Sequence, residues 1–235
     1  MGAIKGFISN IFSAVSDNLI SGGAYYLIAR AAVVTAAITL TAWVLAAVIG
    51  IALSYLMCYE KKVLSVIGRG ICFVFRSIPV LITVWLFYYC FFGGSTLSGI
   101  IITGLGIGLY GGGHLAEILS RSVVREQERM NKNVRNRLEK VYFSMVVPQA
   151  LEDSAFQLKR LMIQLMQWTT VAGYVSVNDL TEVMYGIGQR TMYPFFSLFF
   201  AAVLYMIATV IIEWVFKKFE QRLKKKNDGT GEKKK

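Results

Sequence analysis

Histidine occurs once in this 235-residue chain, proline and cysteine three times each, and acidic residues number 14 against 25 basic ones. One histidine among scattered serines offers no hydrolytic triad. Cys58, Cys72 and Cys90 have neither the even count nor the local pairing of a disulfide framework or a zinc site, so they read as packing residues. No Gly-x-x-x-x-Gly-Lys-Ser/Thr run is present, and Gly229-Thr230-Gly231-Glu232-Lys233 has the wrong spacing for one, which excludes ATP binding through a phosphate loop. Met1 to Leu19 has one Lys, no continuous apolar core and no small-residue cleavage site, so it does not read as a cleavable signal. A formal charge of +11 argues for nucleic acid only when the basic residues cluster on a soluble module with stacking aromatics. Here they sit between apolar runs.

Apolar material is what the chain has in excess. Hydrophobic residues make up 55% and charged residues only 17%, with a mean hydropathy of +0.53, more than a water-exposed surface of this size tolerates. The implied solvent is a bilayer. About 20 residues are needed per crossing, so five crossings and their loops consume most of the length and leave no room for a second folded domain. The expected spans are Ala31 to Met57, Ile78 to Phe92, about Leu97 to Leu119, a fourth between Phe156 and Val177, and a fifth from about Phe195 to Phe216. Arg69, Arg76 and Pro79 interrupt the stretch before the second span, whose first half reads as a short interfacial helix. The third span is rich in glycine, at 99, 104, 106, 108 and 111 to 113, which permits close helix contact.

The remaining segments are polar or amphipathic. Ile4, Phe7, Ile8, Ile11, Phe12, Val15 and Leu19 recur at helical spacing within residues 1–28, which fits either an interfacial amphipathic helix or an ordinary packing helix. Ser120 to Lys140 reads as a cytoplasmic helical hairpin or loop, and the basic tail, 224–235, as disordered. Lys and Arg are retained on the cytoplasmic side. An N-out, C-in arrangement puts all of the 25 basic residues there except Lys5, Arg30 and Arg190.

The informative feature is a polar stripe on the fourth span. Asp153, Gln157, Arg160, Gln164 and Gln167 follow spacings of four and three and share one helical face. Thr169 and Thr170 continue it toward the outer end. Such residues inside a membrane need partners or water, so the face is either the wall of a translocation path or a hydrogen-bonding interface between subunits. On the third span His114 and Glu117 occupy neighbouring positions, and Glu117 stands one turn before Arg121, which gives an ion pair as the alternative to a substrate role. Glu213 and Lys217 form a second expected pair of that kind.

These residues resemble a family: the membrane permease subunits of ATP-binding-cassette importers for polar amino acids, of the histidine, glutamine and arginine type, over about residues 29 to 223. Phe75-Arg76-Ser77-Ile78-Pro79 is similar to the family's Phe-Arg-Gly-Thr-Pro, and His114-Leu115-Ala116-Glu117-Ile118 to its Tyr-x-x-Glu-Ile/Phe. Val147-Pro148-Gln149-Ala150-Leu151 is similar to Leu-Pro-Gln-Ala-Leu, and Thr169-Thr170-Val171 through Val177-Asn178-Asp179-Leu180 to Thr-Ser-Leu … Val-x-Glu-Leu. The resemblance implies an all-α integral membrane protein of the type I ABC importer permease fold in the inner, cytoplasmic membrane, catalysing no covalent chemistry and binding no cofactor. ATP and Mg would be held by partner ATPase subunits. A second permease, identical or not, and an external substrate-binding protein complete the implied assembly.

The chain departs from the family in two places. Counting back from Pro148 puts Arg129-Met130-Asn131 where the family's Glu-Ala-Ala coupling helix belongs and Arg135 at its Gly; Glu128 restores the acid only with a one-residue shift. Bulky polar residues thus replace the small ones that let that helix nestle against the ATPase, which points to an altered contact or one carried mainly by the partner permease. In the path, Phe156, Arg160, Leu161 and Gln167 stand where the family often has Pro, Asn, Glu and Lys. Arg160 suits a carboxylate and Glu117 or Asp153 an ammonium, a combination fitted to a zwitterion. The alternative reading is a non-transporting assembly or regulatory membrane subunit that keeps the fold. A secondary transporter fits less well, since no internal repeat is present.

Overall fold

A computed structural model describes residues 13, 15–16, 20–59, 61–92, 98–129 and 147–231. All the regular structure among them is helical: α1 Ala24–Met57, α2 Lys62–Ser77, α3 Val80–Leu86, α4 Gly99–Arg129, α5 Val147–Asp153, α6 Ala155–Gln167, α7 Leu180–Thr191 and α8 Pro194–Gly231. A π-helical turn, Phe87–Phe92, prolongs α3, and a 3-10 stretch, Trp168–Val175, prolongs α6.

The core is built on the glycines of α4. Each glycine in a helix interior costs about 1 kcal/mol relative to alanine, so this helix is stabilised by packing and not by propensity. A Cβ on Gly104, Gly108 or Gly112 would stand 2.7 Å from Thr41, Leu45 or Ile49 of α1. Both sets repeat every four residues, so one face of α1 interlocks with a bare ridge of α4. Because both rise together in number, the two helices run parallel. Gly106 admits Val84 of α3 and Gly111 admits Leu165 of α6, while the early Gly99 meets the late Val177; α6 therefore runs antiparallel to α4. Ala24 and Ala31 cluster with Ala201 while Trp43 meets Phe216, so α8 runs parallel to α1.

Pro79 shapes the second pass. A residue before proline is pushed out of the helical region, and Ile78 lies at φ −85°, ψ 126°. The helix stops at Ser77 and restarts after Pro79 with a 100° bend, so α2 lies across the bundle and α3 along it. Gly68 seats α2 on Leu56 and Met57 at the end of α1, and Cys72 donates to the Gly113 carbonyl of α4 at 3.2 Å.

Among the described residues three helices are long and apolar enough to cross a membrane, Ala24–Met57, Gly99–Arg125 and Pro194–Lys218, and the bent pair α2–α3 makes a fourth if it counts as one span. The expected span at 156–177 is α6 with its 3-10 continuation; α6 has 13 residues and carries the polar stripe, which keeps it out of that set. Two sequence expectations change. The third span does not stop near Leu119 before a separate hairpin: α4 continues as one helix to Arg129, because its polar extension consists of good helix formers. Likewise α8 reaches Gly231, through residues 224–231 of the segment expected to be a disordered tail. Most of residues 1–19 and all of 130–146 lie outside the described residues.

Candidate functional site

The orientation of α6 decides what the stripe can do. Leu158, Leu161, Leu165 and Met166 are buried, at spacings that define one helical face, and Leu165 fits over Gly111. That anchoring turns the opposite face outward. Gln157, Arg160 and Gln167 are exposed, Gln164 is half-buried and Asp153, at the end of α5, is exposed. Gln157, Arg160 and Gln167 have no hydrogen-bond or ion-pair partner among the described residues. Thr170 is exposed beyond them, whereas Thr169 points inward, donating to the Met166 carbonyl at 2.7 Å and lying 3.5 Å from the Tyr205 hydroxyl. Thr169 therefore leaves the stripe.

Gln164 connects the stripe to a buried polar cluster. Its amide donates to the Tyr110 hydroxyl at 3.4 Å, and the Tyr110 ring lies 4.5 Å from that of His114 and 6.1 Å from that of Trp168. His114 Nε2 and Trp168 Nε1 are both buried without a hydrogen-bond partner among the described residues. An unmatched buried polar group costs about 1–3 kcal/mol, so each of these atoms would gain from a partner that water or a ligand could supply. Tyr110 and Trp168 were not among the candidates that the stripe and the His114–Glu117 pair picked out. The signal was available in spacing, because each stands four residues from one of those candidates.

Glu117 is engaged elsewhere. It forms ion pairs with Arg121, one turn on, and with Arg76 of α2, which tie the elbow of the bent pair to the central helix. This favours the ion-pair reading over a substrate role. The expected Glu213–Lys217 pair is absent; Lys218 lies over the Trp214 ring at 3.6 Å instead. Of the proposed coupling residues, Glu128 and Arg129 fall in the last turn of α4 and Pro148 in α5, while Met130, Asn131 and Arg135 lie outside the described residues. Where the chain returns, the Ser122 and Ser154 hydroxyls meet at 2.7 Å and Arg125 donates to Ser122 at 3.0 Å, joining α4 to the start of α6.

The end of the bundle where α7 begins is held by Asp179, fully buried as the N-cap of that helix. Its carboxylate accepts from the Glu182 and Thr181 amides at 3.0 and 3.1 Å and from the Tyr205 hydroxyl at 3.3 Å. Burial pushes this carboxyl above the usual carboxylate range, against the pull of those hydrogen bonds. Two hollows lie elsewhere. One of about 500 Å³ opens at the same end beside Arg30, Ser98 and Asn178, and one of about 680 Å³ runs between α1 and α8. Neither includes a stripe residue.

The described residues thus form an all-helical, multi-pass membrane protein that turns a polar helix face out of its own apolar bundle. The chain belongs to the family of binding-protein-dependent transport system inner membrane components, whose model matches residues 48–225. It is thus a multi-pass inner membrane component of a binding-protein-dependent transport system. Over 82 residues it is 28% identical to the arginine ABC transporter permease protein ArtQ of Escherichia coli (strain K12). That match covers 35% of this chain and 34% of ArtQ, so the chain spans about a third of the length of the curated relatives it matches. A solved amino acid ABC transporter with histidines superposes with a TM-score of 0.71 at 18% identity, covering 84% of this chain and 94% of that one. The inward-facing MetNI methionine ABC transporter gives 0.70 at 18% identity, covering 86% and 99%. These structural likenesses show the fold.

Proposed function

We propose that this chain is the permease subunit of an importer for polar amino acids, with five spans arranged N-out and C-in. α6 and its 3-10 continuation serve as the fourth span, and the stripe they carry is one wall of the path. The observation that carries this reading is Arg160: a cation without a partner, flanked by unpaired Gln157 and Gln167, on the exposed face of an apolar bundle. Arg160 stands near the cytoplasmic end of the span, and the polar face that runs from it through Gln164 to Gln167 would be costly bare against lipid. A second permease presenting the opposite wall, with water and substrate between, removes that cost. The relatives named for arginine, histidines and methionine support amino acids as the cargo class. Arg160 would meet the substrate carboxylate, and the Tyr110–His114–Trp168 cluster would receive its polar end through Gln164. Two ATPase subunits holding ATP and Mg would dock beneath residues 121–150, and an external binding protein would deliver substrate. Alternation between outward and inward openings would move it across.

The test is amino-acid-stimulated ATP hydrolysis by the reconstituted complex, with and without Arg160→Ala. A hydrogen bond to a charged group is worth about 1.5–3 kcal/mol, so the substitution should raise the amino acid concentration needed for stimulation by about tenfold or more. Unchanged stimulation would remove Arg160 from the path. The second reading, a non-transporting assembly subunit, is favoured by the Arg129-Met130-Asn131 substitution of the coupling segment. It predicts that no candidate amino acid changes hydrolysis in the unmodified complex.

A further inference from the structure

The bent pair leaves one face of α2 uncovered by the rest of the chain. Only Gly68 and Cys72 of α2 are buried, and they face α1 and α4. On the far side Val63, Val66, Ile67, Phe73 and Val74 are exposed. At helical geometry these fall on one broad arc, while Lys62, Arg69 and Arg76 recur every seven residues and form a basic line along one edge of it. Arg76 is taken by Glu117, but Lys62 and Arg69 have no ion-pair partner among the described residues. The 100° bend lays the helix across the bundle at the end where α1 finishes, next to the turn of α4 that carries Glu117 and Arg121.

We propose that α2 is an in-plane helix that binds anionic phospholipid in the leaflet at this end of the bundle. The apolar arc enters the acyl region, and Lys62 and Arg69 pair with headgroup phosphates. Charge decides between this occupant and a protein surface. A protein would have to present a broad apolar patch bordered by acidic groups, whereas an anionic leaflet offers acyl chains and negative charge in that order at the depth where the helix lies. The Lys218–Trp214 stack on α8 is a cation–aromatic pair of the kind found at a membrane–water boundary. The inference rests on the membrane-spanning fold and not on the identity of the cargo.

Brominated-lipid quenching of the full chain in phosphatidylcholine vesicles tests it, with the bromine carried either by phosphatidylcholine or by an added phosphatidylglycerol. Phe73→Trp supplies the probe, read as the quenching gained over the parent chain with its four tryptophans. Val66→Trp repeats the measurement should the first variant fold poorly. The expected result is added quenching by both lipids with a preference for phosphatidylglycerol. Lys62→Gln and Arg69→Gln should each lower that preference by about fivefold, as one cation near an anionic surface implies. No added quenching by either lipid at both probe positions would mean that protein or water covers the arc, and would overturn the proposal. Equal quenching by the two lipids, unmoved by the Gln variants, would overturn its anionic half.

Discussion

At the scale of single residues, polar groups in this bundle fall into those that are satisfied and those that await something. Thr35 accepts from the Leu180 amide across 145 positions of sequence, and Asp179 draws three donors. His114 and Trp168 are left open. Asp179 yields a prediction whose sign follows from linkage. A carboxyl whose folded value lies above its unfolded one, about 3.9, adds stability below the unfolded value and loses it as pH rises through the folded value. Thermal unfolding in detergent should therefore show the wild-type midpoint falling as pH climbs through that window. Asp179→Asn keeps the cap and should lack the fall, while Asp179→Ala should lose about 1 kcal/mol or more with the cap. Identical pH profiles for wild type and the Asn variant would contradict the assignment.

Among the elements, α4 and α6 do most to organise the molecule, and each does so through residues that look unfavourable in isolation. The glycine ridge of α4 weakens it as a helix and qualifies it as a core. At Gly108 an added methyl meets the Leu45 Cβ at 2.7 Å and the Ala42 carbonyl at 3.2 Å, neither of which can swing away. Gly108→Ala should accordingly cost about 1–3 kcal/mol by overpacking. Leu45→Gly should relieve that clash, while Leu45→Ala, which keeps the offending carbon, should not. Gly186 of α7 has nothing within 4 Å of its virtual Cβ, so Gly186→Ala should stabilise by up to about 1 kcal/mol through propensity alone. Chemical unfolding of the four variants separates the two effects. Equal penalties at Gly108 and Gly186 would show that helix propensity, not interlocking, governs these sites.

Considered whole, the molecule is asymmetric from end to end. Because α1, α4 and α8 run parallel, their C-terminal ends gather Lys61, Arg121, Arg125 and Lys217 at one pole. Asp179, Glu182 and the cavity beside Arg30 occupy the other. The proposed orientation predicts that Ser176→Cys reacts with an impermeant maleimide from outside intact cells, and that Arg125→Cys does so only after the membrane is opened. The reverse pattern would invert the topology. A polar face turned outward also predicts that the chain works in an assembly, since alone it would present Arg160 to lipid.

The features that the sequence by itself determined are those set within a few residues of chain. Apolar runs, the break at Pro79, the basic pole and the periodicity of Gln157, Arg160, Gln164 and Gln167 follow from hydropathy, proline geometry and helical repeat, none of which needs a neighbour. Rotation of each helix about its axis was not legible, because it is chosen by packing between segments far apart in sequence. Only that rotation turns Thr169 inward to Tyr205 and Thr170 outward. It likewise gives Glu117 a second arginine from α2 and sets Tyr110 and Trp168 on either side of the Gln164 link. Tertiary structure decided these because a helix in lipid gains nothing from burying apolar surface as such, so close fit of glycine against side chain selects the faces that meet.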